Sequence, residues 1–113
     1  MTEASSYCVV ITTTATREDA EVIARHLLAE RLAACVQVSA IESFYTWKEE
    51  IARENEFILH IKTRSDLFGK VEEAIRVLHK YEVPEIIQLP IVAGLSEYLR
   101  WIDRETSSAI QGG

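Results

Sequence analysis

Apolar residues recur along the chain at two periods, and each change of period marks a change of element. YCVVITT (7–13) is β-rich and apolar on both faces, as in a central strand. Thr16 followed by Asp19 then opens a helical pattern from Arg17 to Ala33. Its apolar stripe is Ala20, Ile23, Ala24, Leu27 and Leu28. ACVQVSAIESFYTW (34–47) and EIARENEFILHIKT (50–63) return to alternation and predict two strands. Ser65 is placed to cap a second helix carrying Leu67, Phe68, Val71, Ala74, Ile75 and Leu78 on one side. EIIQL (85–89) predicts a short strand, and Ser96 begins a final helix with Tyr98, Leu99, Trp101 and Ile102.

The order β-α-β-β-α-β plus a C-terminal helix predicts an α+β fold, a ferredoxin-like sandwich with helices on one face of an antiparallel sheet. The expected domain is 7–105, with flexible ends at 1–6 and 106–113. A two-residue turn at Lys48-Glu49 sets the register of the long central hairpin. Val36 then faces Ile61, Val38 faces Leu59 and Ala40 faces Phe57 on a core side. Cys35 with Lys62, Gln37 with His60 and Ser39 with Ile58 form a semi-polar side. Each arm spans about 43 Å at ~3.3 Å per residue, whereas a common strand is ~17–20 Å. Two helices of ~20–25 Å cannot cover it. The outer half, with Phe44, Tyr45 and Trp47, must bend or pair with another chain.

Composition narrows the classes of function. The net charge of −6 and the lack of a basic stripe argue against nucleic acid and anionic membrane. No apolar run approaches the ~20 residues of a membrane span. Cys8 and Cys35 form no CxxC pair, and the N-terminus lacks the pattern of a signal peptide. Two free, buried thiols and a cytoplasmic location are therefore expected. No serine stands in the context of a nucleophile, and neither a P-loop nor GxGxxG occurs.

LAERLAACV (28–36), FYTWKEEI (44–51), FILHIKT (57–63), HKYEVPEIIQLPI (79–91) and EYLRW (97–101) follow one another in order over most of the chain. Together they resemble the CutA family, the divalent-cation tolerance proteins. The resemblance implies a ferredoxin-like protomer, a homotrimer like that of PII signalling proteins, and association with metal tolerance. It also implies copper binding and no catalytic activity. Glycine is common in the family's hairpin turn, whereas Glu49 stands there here, which makes positive φ costlier. The family's His-Pro-Tyr is His79-Lys80-Tyr81 here, and of the family's copper ligands only His79 carries over cleanly.

Two segments hold candidate chemistry. In HKYEVPE, a structural reading puts His79 at a helix C-terminus, its cation complementing the dipole, with Pro84 opening an edge strand and Pro90 closing it. A functional reading has His79, Tyr81, Glu82 and Glu85 line a cleft beside a neighbouring subunit and meet a divalent cation such as copper, with His79, Glu82 and Glu85 as its ligands. No cofactor is required under either reading. His60 is the second candidate ligand, because three copies of its sheet face meet around the axis of a PII-like trimer; a satisfied interface histidine is the competing reading. Tyr45, Trp47 and Trp101 are expected at the trimer interface. The alternative function is a PII-like sensor binding a small ligand in clefts between subunits.

Overall fold

A computed structural model of the chain describes residues 5–107. β1 (Tyr7–Thr14) leads into α1 (Arg17–Ala29), then β2 (Cys35–Trp47) and β3 (Glu50–Arg64). A 3-10 turn (Ser65–Leu67) precedes α2 (Phe68–Leu78), and β4 (Ile86–Ile91) and α3 (Ser96–Glu105) complete the order. The four strands form one antiparallel sheet in the order β2-β3-β1-β4, which is the ferredoxin-like arrangement.

Local chemistry accounts for most boundaries. The Thr16 hydroxyl accepts the Asp19 N–H at 3.1 Å, so α1 starts where the capping pattern places it. It stops four residues before Ala33. Leu32 N–H reaches Leu27 O at 2.8 Å and Arg31 N–H reaches Leu28 O at 3.1 Å, the two bonds of a Schellman motif. Arg31 occupies the left-handed position of that motif at φ 58°. Its guanidinium Nη2 donates to Arg104 O at 2.6 Å and ties the end of α1 to the end of α3.

Ser65 is not the cap of α2. β3 continues to Arg64, and the helix begins through a 3-10 turn without a side-chain cap. Ser65 instead donates its N–H to Ser6 O at 2.9 Å. β4 begins one residue later than expected and runs on through Pro90, which an edge strand tolerates because one row of its backbone groups has no neighbour in the sheet.

Strand parity divides the side chains cleanly. Cys8, Val10, Thr12 and Thr14 of β1 align with Thr63, Ile61, Leu59 and Phe57 of β3. That face packs against α1 and α2 through Ala20, Ile23, Leu27, Val71 and Ile75. Burying Ile23, Leu27, Val71 and Ile75 contributes roughly 1.5–3 kcal/mol each. The other face carries Tyr7, Val9 and Ile11 beside Arg64, Lys62 and His60. α3 packs on this second face, not with the other two helices: Tyr7 donates its phenol proton to Asp103 Oδ2 at 2.6 Å. Ile102 is fully buried yet stands apart from the main core.

The chain ends expected to be flexible are tied down where the structure describes them. The Ser5 hydroxyl lies within hydrogen-bond reach of both Tyr7 O, at 3.0 Å, and Ile91 O. Thr106 is buried, with its hydroxyl donating to Ile102 O at 2.7 Å. Residues 1–4 and 108–113 lie outside the described residues.

Candidate functional site: the open sheet face and the His79–Glu85 joint

The hairpin register matches the two-residue turn: Cys35 opposes Lys62, Gln37 opposes His60 and Trp47 opposes Glu50. Lys48 and Glu49 sit at φ 51° and 67°, so both central residues are left-handed, as a type I′ turn requires. Val36, Val38, Leu59 and Ile61 belong to or pack on the core. Beyond them the helices end and the hairpin runs on uncovered. Trp47 is 62% exposed and Ile51 82%; Phe44 and Tyr45 are exposed as well. The Lys48 ammonium lies 5.9 Å from the Trp47 ring centroid, and Arg53 pairs with Glu42 on the far side.

The open face continues across the sheet. Ile87 and Leu89 of β4 stand opposite Ile11 and Val9. They are 45% and 47% exposed, and Tyr98 of α3 is also exposed. Trp101 is half-buried and stacks at 5.5 Å from Tyr98, so of the three nominated aromatics it is the one already packed within the protomer. His60 lies in the middle of this face. No hydrogen bond or ion pair engages its ring among the described residues.

His79 has a different setting. It follows α2 as its C-cap and donates its N–H to Ile75 O at 2.8 Å. Nε2 lies 2.6 Å from Thr13 O, and Nδ1 accepts the Tyr81 N–H at 3.0 Å. A carbonyl accepts only and an amide N–H donates only, so the ring is the neutral Nε2–H tautomer. The cation expected to complement the helix dipole is not what this geometry holds. The rings of His79 and Tyr81 lie 4.9 Å apart. The Tyr81 hydroxyl donates to Glu56 Oε2 at 2.7 Å, and burial followed by this bond pushes the phenol's pKa far up.

Glu82 and Glu85 are exposed, and no group of three His, Cys, Asp or Glu able to hold a metal forms among the described residues. Within one protomer, His79, Glu82 and Glu85 therefore do not fit a resident copper ion, because both imidazole nitrogens are already engaged. Glu56, 9% exposed, is the functional-looking residue that the sequence reading did not nominate. Its signal was a carboxylate on a strand face beside Ile58, paired through a contact that skips 25 positions. Cys8 is buried, whereas Cys35 is only half-buried; both thiols are free. Burial raises the Cys8 pKa.

A groove of ≈ 580 Å³ between α1 and α2 is rimmed by His26, Glu30, Arg31, Lys70 and Glu73. It gathers none of the nominated site residues. The molecule thus defines a class: a small ferredoxin-like domain whose distinctive feature is an uncovered sheet face and hairpin. Residues 8–105 match the family described as CutA1 divalent ion tolerance protein, and the chain belongs to that family. The divalent-cation tolerance protein CutA of Thermus thermophilus is 43% identical over 99 residues, 87% of this chain and 96% of its own length. The structure of the periplasmic divalent cation tolerance protein CutA from Archaeoglobus fulgidus superposes with a TM-score of 0.88 at 39% identity, covering 89% of this chain and 99% of the other. CutA1 from the psychrotrophic bacterium Shewanella sp. SIB1, described as a stable protein, superposes at 0.90 with 34% identity, covering 94% and 100%. Among the described residues no helix is long and apolar enough to cross a membrane.

Proposed function

We propose that the chain works as a homotrimer in divalent-cation tolerance and carries out no catalysis. The observation that carries this reading is the uncovered sheet face, with Trp47 and Tyr45 on the hairpin and Ile87 and Leu89 on β4. Exposed aromatics and aliphatics of this extent favour a covering partner. The hairpin stands at one edge of the sheet and β4 at the other, so the two patches suit different positions on neighbouring copies. Light scattering at micromolar concentration tests the assembly: a mass of three chains supports it, and a monomer mass removes it.

Copper enters as a ligand of the assembly. The His60 ring can take a cation without breaking a protomer hydrogen bond, and a trimer supplies three of them. His79, aided by Glu82 or Glu85 of the same or an adjacent chain, would first have to release Tyr81 N–H from Nδ1. Imidazole is a good Cu(II) ligand, and protons compete with the metal for it, so acid weakens binding. Copper titration of wild type, His79→Ala and His60→Ala separates the two: loss only in His60→Ala places the cation on the sheet face, loss only in His79→Ala places it at the joint, and unchanged binding in both removes both sites. Cytoplasmic residence belongs to the same proposal, since two unpaired thiols favour a reducing compartment. The Archaeoglobus relative is described as periplasmic, and cell fractionation distinguishes the two locations.

A further inference from the structure

The helix layer lies on the opposite side of the sheet from the uncovered face, and it holds a recess of its own. The ≈ 580 Å³ groove between α1 and α2 falls within the roughly 300–1,000 Å³ range of small-molecule sites. Ala29 of α1 and Ala74 of α2 both line it, and their short side chains leave the space that longer ones would fill. Leu32, Val77 and Leu78 complete an apolar floor. Val77 is 79% exposed, so this floor lacks cover within the chain.

Three charged side chains border the floor without a charged partner: no ion pair engages Arg31, Lys70 or Glu73 among the described residues. Glu30 and His26 complete the rim on the α1 side. Arg31 is fixed by the bond from its Nη2 to Arg104 O, while its Nε is buried and has no hydrogen-bond partner among the described residues. A buried guanidinium N–H without an acceptor costs free energy that an anion reaching it would recover. Of the carboxylates that share a second recess with Arg31, Asp103 is engaged by Tyr7 and Glu105 makes no ion pair with it.

The order of these groups along the groove defines a ligand. α1 and α2 follow antiparallel strands and run in opposite directions, so the end of α1 lies beside the start of α2. Arg31 and Lys70 therefore stand at one end. Glu73 comes about 4.5 Å further along the axis of α2, and Val77 about 6 Å beyond that, at ~1.5 Å per residue. Two cations, then a carboxylate, then an apolar patch are the complement of an α-amino acid, whose carboxylate and ammonium share one carbon with the side chain beyond them. A dicarboxylate would set its second charge against Glu73, and a diamine would set one against Arg31 and Lys70.

We propose that the α1–α2 groove binds a free α-amino acid with an aliphatic side chain, its carboxylate on Arg31 and Lys70, its ammonium on Glu73 and its side chain on the floor beside Val77. This function is separate from divalent-cation tolerance and does not rest on the trimer, because the groove stays open when the far side of the sheet is covered.

The test is a titration of the full chain with L-leucine, followed by amide NMR. Isocaproate (leucine without its amine), isoamylamine (leucine without its carboxylate) and glycine serve as comparisons. Saturable shifts at 26–32 and 69–78 are expected with leucine, and binding at least about 5-fold weaker with each comparison compound. Lys70→Gln, Glu73→Gln and Ala29→Leu change exposed helix positions and leave the core alone. The first two, and Arg31→Gln, are expected to weaken leucine binding about 5-fold or more, and Ala29→Leu to fill the groove and abolish saturation. Absence of saturable shifts in wild type overturns the proposal, as does leucine binding that all four variants leave unchanged. Isocaproate bound as tightly as leucine removes the ammonium site on Glu73 and overturns it as well.

Discussion

Tyr81 shows how one side chain joins three parts of the molecule: its N–H holds the His79 ring, its ring lies on that imidazole, and its hydroxyl reaches Glu56. Tyr81→Phe leaves a buried carboxylate without its donor, and we expect a loss of about 1–3 kcal/mol by denaturant unfolding. The phenol's raised pKa means that the folded state holds its proton more tightly than the unfolded state. That contribution is complete below the unfolded pKa of ~10 and declines as pH rises above it. Wild type should therefore lose its advantage over Tyr81→Phe in alkaline solution, which unfolding curves at neutral and alkaline pH will compare. Thr12 is the opposite case. Its hydroxyl is fully buried under α1 and α2 and has no hydrogen-bond partner among the described residues. Thr12→Val keeps the shape and removes the orphan group, so a gain of about 1 kcal/mol is expected in the same assay. Neither feature was readable from one segment. The Tyr81–Glu56 bond needs the sheet order before its partners become neighbours, and the Thr12 orphan needs the helix layer above it.

Among the elements, the hairpin was the most legible, because a two-residue turn converts sequence positions into pairs by arithmetic, and alternation then decides the buried side. The ends of α1 and α2 were less legible for opposite reasons. α1 terminates with Arg31 where glycine usually stands, so no composition signal marks it. α2 lacks the cap that Ser65 advertises, because β3 runs on to Arg64 and Ser65–Leu67 form a 3-10 turn, which puts Leu67 rather than Ser65 at the N-cap position of the helix. The hairpin turn carries a similar departure: neither Lys48 nor Glu49 is glycine or asparagine, yet both are left-handed. A non-glycine residue there costs roughly 1–2 kcal/mol. Glu49→Gly is accordingly expected to raise stability by about 1 kcal/mol, less than the full relief because glycine also frees the unfolded chain. Thermal unfolding of the variant checks this, and a lowered midpoint would show that the Glu49 side chain makes a compensating contact.

At the scale of the whole molecule, the chain divides its apolar side chains between a core it closes itself and a face it leaves uncovered. The first was legible because helical and strand periods agree on it. The second was visible only as surplus length in the hairpin, and its continuation onto β4 required the strand order. Trp47→Ala tests the division: assembly should weaken by about 2–4 kcal/mol, whereas protomer unfolding, followed at concentrations below assembly, should change little, since the ring is already largely solvated. The strand order has another consequence. β1 is the interior strand, flanked by β3 and β4, although it is made first. Its partner on β3 is synthesised about 50 residues later, which at ~5–20 residues per second is a delay of roughly 3–10 s. During that interval a strand with apolar side chains on both faces has no native neighbour. The emerging chain thus passes through a window in which the ribosome tunnel, α1 or a chaperone must shield YCVVITT, and slowing translation before β3 should lower the yield of folded protein more than slowing it afterwards.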